Sequence, residues 1–178
     1  MDPLLEHLRA HALRTDGPFK LRSGAVSSWY LDARMTSFSG EGARLVGKAV
    51  LGVLAPEVDA VGGMTLGADP ISVATAIVAF ESGRQLRAFS VRKETKAHGT
   101  GGRLVGPVAA IDTVAVLDDT VTTCDALFEA VEVLEQEGMK VAQAIVLVDR
   151  SGGSVEEICR RRNLAYTALI RPADLGVE

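Results

Sequence analysis

The chain has 178 residues, the length of one domain, and 47% of them are hydrophobic, enough to bury a core without disulfide or metal staples. Charged residues make up 24% and the net charge is −4, which argues against a general nucleic-acid or membrane-surface binder, because such proteins carry a basic excess. The two cysteines, Cys124 and Cys159, show neither metal-ligand spacing nor a disulfide framework, so a reducing, cytoplasmic setting is expected. Residues 1–7 lack the basic start and apolar run of a signal peptide, and no apolar segment reaches the length needed to cross a bilayer.

In chain order, Leu4, Leu5, Leu8 and Leu13 predict a helix over 3–14. Residues 18–34 read as short strands around the turn Arg22-Ser23-Gly24, and 40–54 as a helix. A short strand over 58–61 runs into the glycine-containing stretch 62–70, and a helix follows through Phe80. A strand is expected over 86–91, then a polar, glycine-rich loop over 93–105. Residues 113–117 predict a strand, followed by a helix to about Glu137 that Gly138 closes. A continuous apolar strand over 142–148, a helix over 155–162 and a strand over 166–170 complete the pattern. Strands that are apolar throughout, alternating with helices, predict an α/β fold with a mainly parallel sheet covered on both faces. Ligands of such sheets bind at the carboxyl ends of the strands, here the stretches 62–70, 92–105, 118–126 and 149–153.

The unusual residues fall in those stretches. Strand 113–117 runs into Asp118-Asp119. Adjacent carboxylates repel each other, so the pair makes sense if it accepts hydrogen bonds from hydroxyls, such as a ribose diol, or faces a metal-laden ligand. Thr122-Thr123-Cys124-Asp125-Ala126 then opens a helix, whose free N–H groups and partial positive charge suit a phosphate. The plainer alternative is a strand–turn–helix connection with Thr122 or Asp125 as cap and the acids solvated. The loop that follows strand 86–91 carries Arg92, Lys93, Lys96, His98 and Arg103 among glycines. Four cations and an imidazole on a hinged loop fit a lid over an anionic leaving group; a solvated charged loop is the alternative. His7 and His11 have a metal-compatible spacing, but no third ligand accompanies them.

The stretch from Val114 to Ala126 resembles the signature with which type I phosphoribosyltransferases bind 5-phosphoribosyl-1-pyrophosphate (PRPP). The run Arg92-Lys93-Glu94-Thr95-Lys96-Ala97-His98-Gly99 resembles the R-K-x-x-K-x-H-G loop of orotate phosphoribosyltransferases. Three further motifs agree with that family: Phe19-Lys20-Leu21-Arg22-Ser23-Gly24, the stretch from Gly63 to Pro70, which looks like its pyrophosphate loop, and Asp149-Arg150. The resemblance implies a single domain over 1–178. Its core would be a central, mainly parallel sheet with helices on both faces, and its small hood would come largely from residues 1–36.

The resemblance also implies roles. Asp118 and Asp119 would hold the ribose hydroxyls, and Thr120, Val121, Thr122, Thr123, Cys124, Asp125 and Ala126 would form the rest of the PRPP stretch around the 5-phosphate. Arg92, Lys93, Lys96 and His98 would bind PRPP, with Lys96 and His98 catalytic at the pyrophosphate and Lys96 the main cation. Thr122 and Arg150 would bind orotate, a carboxylated planar base for which a forked, always-charged arginine is apt. A homodimer is implied, with the lid 92–105 reaching the neighbouring subunit. Mg²⁺ would enter with PRPP, bound mostly by phosphates and water rather than by a resident protein site. The implied reaction gives orotidine 5′-monophosphate and pyrophosphate in pyrimidine synthesis. The alternatives are another nucleobase as acceptor, or an inactive PRPP-sensing regulator.

Several positions depart from the family pattern. Cys124 stands where glycine is commoner, and Ala126 where a hydroxyl is common. Asp125 puts a negative charge beside a phosphate and is expected to point away or to be tied up by local capping. Leu66 replaces a common lysine and cannot supply its charge, and Arg22 also replaces a lysine. Trp29-Tyr30 sits where the family has an aromatic-rich base pocket, with core packing an equal alternative for Trp29.

Overall fold

The computed structural model describes residues 2–20, 24, 26–95 and 102–177. In chain order the elements are α1 (Pro3–His11), β1 (Leu13–Arg14), β2 (Phe19–Lys20), β3 (Val26–Ser27), β4 (Tyr30–Leu31), α2 (Arg34–Ser37), α3 (Gly40–Val53), β5 (Ala60–Met64), α4 (Ala68–Glu81), β6 (Arg87–Val91), β7 (Leu104–Val105), β8 (Thr113–Val121), α5 (Asp125–Gln136), β9 (Lys140–Asp149), α6 (Ser154–Arg161), β10 (Ala165–Ile170) and α7 (Pro172–Leu175).

A six-stranded sheet has the order β10-β9-β8-β5-β6-β7, parallel throughout except where β7 pairs antiparallel with β6. Its long strands show why their sequences are continuously apolar. Ala115 and Leu117 of β8, with Ile145 and Leu147 of β9, enter a core shared with Leu8 of α1, Val46 of α3 and Ile71 of α4. The alternate residues Val114, Val116, Ala144 and Val146 enter a second core with Leu127, Val131 and Leu134 of α5 and Val155 of α6. Successive side chains point to opposite faces, so a strand covered on both sides must be apolar at every position. Each buried leucine or isoleucine there contributes on the order of 1.5–3 kcal/mol.

The structure corrects several expected boundaries. The strand bearing the aspartate pair does not end at Leu117: β8 keeps its partner through Asp118↔Val146, Thr120↔Val148 and Val121↔Asp149. The backbone ladder of an equally long β9 carries it past the last apolar residue. Strand β5 likewise includes Gly62 and Gly63, and the 93–105 loop contains β7. Helix α1 stops at His11 because Leu13 and Arg14 pair with Leu31 and Tyr30 of β4. The short α7 has no counterpart in the sequence reading.

Helix ends follow their local chemistry. The Asp2 carboxylate accepts from the Leu4 N–H at 2.9 Å ahead of Pro3, and the Ser39 hydroxyl accepts from the Gly42 N–H at 3.0 Å. Gly138 follows α5 with φ +85°, a conformation that glycine adopts without a side-chain clash. No helix among the described residues is long and apolar enough to cross a membrane.

Candidate active site

The chain order reverses direction across the sheet between β5 and β8, and parallel sheets form a crevice at such a point, outside the strand ends. A cleft of about 710 Å³ lies there. One wall is the β5–α4 connection, from Met64 to Gly67, whose Thr65–Leu66 peptide is cis. The facing wall is Asp118, Asp119 and Thr120 of β8, with Asp125 and Ala126 at the start of α5. Lys93 and Glu94 come from the end of β6, and Arg34 from α2. The two walls touch at Gly67: a Cβ there would lie 2.6 Å from Asp119 Oδ1, so a larger residue would make the carboxylate shift from its place against the loop.

The aspartate pair is electrostatically loaded. The Asp119 N–H donates to Asp118 Oδ1 at 2.9 Å. Burial, and then the neighbouring Asp119 charge, push the Asp118 carboxyl up to about 7. Burial also raises Asp119, against the opposing pull of the Thr120 backbone and the Arg34 charge. Two half-buried carboxylates that resist ionising together are suited to accept hydroxyl donors or to face a cation.

The start of α5 sits next to them. Cys124 precedes α5 without a side-chain cap, so no side chain of its own occupies the first N–H groups of that helix. Asp125 lines the cleft and is tied locally, as one of the two expected arrangements has it: its Oδ2 accepts from the Thr123 hydroxyl at 3.0 Å. That hydrogen bond ties the exposed carboxylate to the turn.

The remaining candidates are distributed unevenly. Val121 is buried, with only 2% of its surface exposed, and Thr122 and Thr123 are exposed. The Arg150 N–H donates to the Val121 carbonyl at 2.8 Å, which brings the loop after β9 beside Thr122. The Arg150 guanidinium lies over Trp29, 4.1 Å from the ring centroid, and burial lowers its pKa from the ordinary value. Arg92 lines a different recess, with Gly102, Leu104 and Glu137, not the cleft. Arg103 ion-pairs with Glu129 and its Nε donates to the Arg92 carbonyl at 2.7 Å, so it ties down the base of the loop. Within 62–70, Asp69 turns away to accept from the Ser90 hydroxyl. Lys96 and His98, and also Arg22, lie outside the described residues.

No protein-family model matches the sequence. An orotate phosphoribosyltransferase of Streptomyces avermitilis is 37% identical over 176 residues, covering 98% of this chain and 96% of that protein. The solved orotate phosphoribosyltransferase of Mycobacterium tuberculosis H37Rv, in complex with Fe(III) dicitrate, matches with a TM-score of 0.86 and 32% identity over 98% of this chain and 97% of that one. The chain belongs to the orotate phosphoribosyltransferase family. The same M. tuberculosis enzyme in complex with PRPP matches with a TM-score of 0.82 and 28% identity, again over 98% of this chain and 97% of that one. The fold is that of the type I phosphoribosyltransferases, and the protein is a pentosyltransferase of pyrimidine biosynthesis.

Sequence reasoning missed three charged residues that this orotate phosphoribosyltransferase places on its cleft. They are Arg34, Glu94 and Glu129. Glu94 lies inside the basic run 92–99, where its single negative charge is surrounded by cations in sequence. Arg34 has one local signal, the Asp32-x-Arg34 spacing that forms an ion pair of 2.8 Å. Nothing near Glu129 in sequence distinguishes it from a solvated helix residue.

Proposed function

We propose that the β5/β8 cleft binds PRPP, and that the 5-phosphoribosyl group passes from it to orotate to give orotidine 5′-monophosphate and pyrophosphate. One observation carries the assignment: Asp118 and Asp119 face the 64–67 loop across a cleft whose far end is the N-terminus of α5. The distances between a diol, a diphosphate and a 5-phosphate on one sugar call for such a three-part arrangement. Asp118 and Asp119 accept from the ribose hydroxyls. Thr120, Val121, Thr122, Thr123, Cys124, Asp125 and Ala126 surround the 5-phosphate, mainly through backbone N–H groups and the threonine hydroxyls. Arg150, with Thr122 beside it, takes the orotate carboxylate as a forked donor.

As the C1–O bond breaks, positive charge grows on the sugar and negative charge on the departing pyrophosphate. Lys93, Lys96 and His98 stabilise that leaving group, Lys96 foremost, and the lid excludes water from the sugar cation. Among the described residues no three His, Cys, Asp or Glu side chains converge on a metal site. Mg²⁺ would arrive with PRPP, held mostly by its phosphates and by water, and Asp118 and Asp119 would meet the hydrated ion or the diol without forming a cage around the metal. When bound, the ion would supply charge neutralisation, and Asp118 and Asp119 would orient the diol or the hydrated ion.

Lys93 serves the cleft of its own subunit, which it lines, and one or more of Arg92, Lys96 and His98 reach the cleft of a neighbouring subunit. Arg92 facing a separate recess supports this, because its own cleft lies elsewhere. Val73, Ile77 and Phe80 form an exposed apolar stripe on α4, with 53%, 55% and 68% of their surfaces open, and a second copy of the chain covers it. A cytoplasmic location is in keeping with the two thiols, Cys124 and Cys159, which form no disulfide.

The deciding experiment is absorbance-monitored consumption of orotate with PRPP and Mg²⁺. Loss of orotate with release of pyrophosphate is expected. Consumption of hypoxanthine or uracil with orotate inert would assign a different base, and no turnover with intact PRPP binding would leave a PRPP sensor.

A further inference from the structure

We propose that Arg34 is a specific cationic contact for the diphosphate of PRPP, held ready by Asp32. The proposal rests on the assignment of the cleft to PRPP. The described wall of the cleft is unexpectedly acidic: it carries Glu94, Asp118, Asp119, Asp125 and Glu129, against Arg34 and Lys93. Yet a diphosphate is the most anionic part of the substrate. Leu66, 55% exposed on the loop that faces Asp119, offers it no charge.

Arg34 has the geometry of a prepared anion ligand. Its Nε donates to Asp32 Oδ1 at 2.8 Å and its Nη2 to Asp32 Oδ2 at 3.1 Å. The Arg34 backbone N–H donates to the same Oδ1 at 3.2 Å, so the carboxylate clamps both ends of the side chain. Nη1 has no partner among the described residues, and its two N–H groups remain for a ligand. The short helix that carries Arg34 is anchored by the buried Thr36 and Ser37. Asp32 first, and Asp119 to a lesser degree, raise the Arg34 pKa, and Arg34 lines the same cleft as the carboxylate assigned to the ribose hydroxyls.

A guanidinium clamped along one edge loses little freedom on meeting an anion at the other, which is how preorganisation raises affinity. Asp32 is therefore a positioning residue and Arg34 the contact. The base is held elsewhere, by Arg150 against Trp29, and neither lines the described wall of the cleft. Substitution of Arg34 should thus separate the two substrates.

The test measures binding of inorganic pyrophosphate with Mg²⁺ by calorimetry, together with KM for PRPP and for orotate, on the full chain. In Arg34→Gln, about tenfold weaker pyrophosphate binding and a similar rise in KM for PRPP are expected, as for loss of one charge-assisted contact, with KM for orotate within about twofold. Arg34→Lys keeps charge and stem but not the fork, and should recover only part of the loss. Asp32→Asn should weaken pyrophosphate binding by a smaller factor. Adding Leu66→Lys to Arg34→Gln should restore affinity, because it returns a cation to the same wall. Unchanged pyrophosphate affinity in Arg34→Gln, with a wild-type enzyme that turns over orotate, would overturn the role of Arg34 alone. A rise confined to KM for orotate would also overturn it. A wild-type protein that neither turns over orotate nor binds pyrophosphate would instead overturn the reading of the cleft.

Discussion

The guanidinium of Arg150 lies 4.1 Å from the centroid of the Trp29 ring, although the two come from opposite ends of the chain. Trp29 is 6% exposed and belongs to the core that α1 and α3 share, so the ring is a fixed platform. The contact joins the N-terminal segment to the loop after β9 and fixes where the fork can point. Cation–π contacts of this kind contribute about 0.5–2 kcal/mol. Trp29→Leu keeps an apolar residue in the core but removes the aromatic face. Its KM for orotate should rise about three- to tenfold while KM for PRPP holds. Equal rises in both, by steady-state kinetics, would mean that the ring supports the fold and not the base site.

The Asp118 carboxyl, pushed up to about 7 by burial and by Asp119, makes the cleft sensitive to pH. Diol binding needs the ionised acceptor, so KM for PRPP should fall as pH rises through about 7, and Asp118→Asn should flatten that dependence. Stability has the opposite sign. The folded state holds a proton on Asp118 that the unfolded state releases from about pH 4 upward, so the ligand-free protein loses stability between about pH 4 and 7. Asp118→Asn should therefore melt a few degrees higher than wild type at pH 8 and equally near pH 4. Thermal melts at the two pH values separate this from a nonspecific effect.

Lys96→Ala should lower kcat by about 100-fold or more, with KM for PRPP changed far less, because its charge matters most when pyrophosphate carries the developing negative charge. Unchanged turnover would remove Lys96 from its assigned role.

Asp149 is 2% exposed and accepts from the Ser151 N–H at 2.7 Å and the Tyr166 hydroxyl at 3.0 Å. Burial and then Asp149 itself raise the Tyr166 pKa, so the hydroxyl stays a donor. Tyr166→Phe removes one of the donors to this buried carboxylate and should cost about 1–3 kcal/mol in urea unfolding. Because Arg150 follows Asp149 directly, KM for orotate should rise as well.

The apolar stripe Val73, Ile77 and Phe80 should lie in the subunit interface. Ile77→Glu is expected to shift the protein toward monomer in sedimentation and to lower activity, since the lid then loses its neighbouring cleft. A dimer of undiminished affinity would place the interface elsewhere.

Much of the fold was legible because local physics repeats along the chain. Strands buried on both faces left unbroken apolar runs, and Gly138 marked a helix end. The 118–126 stretch stood out as a candidate because the acids, threonines and helix start assigned to one sugar phosphate are contiguous. The boundaries missed were those set by a partner: β8 continues to Val121 only because β9 is there to pair with it, and α1 stops early because β4 captures Leu13 and Arg14.

The sequence by itself determined the α/β pattern, the PRPP stretch and the orotate-type basic run, since each is written in neighbouring residues. Only the tertiary structure decided that Arg34 stands on the same cleft as Asp119, that Arg92 faces away from it and that Trp29 carries Arg150. These relations join segments far apart in the chain, and hydrophobic burial, which brings such segments together, leaves no mark of partner identity in the local order of residues.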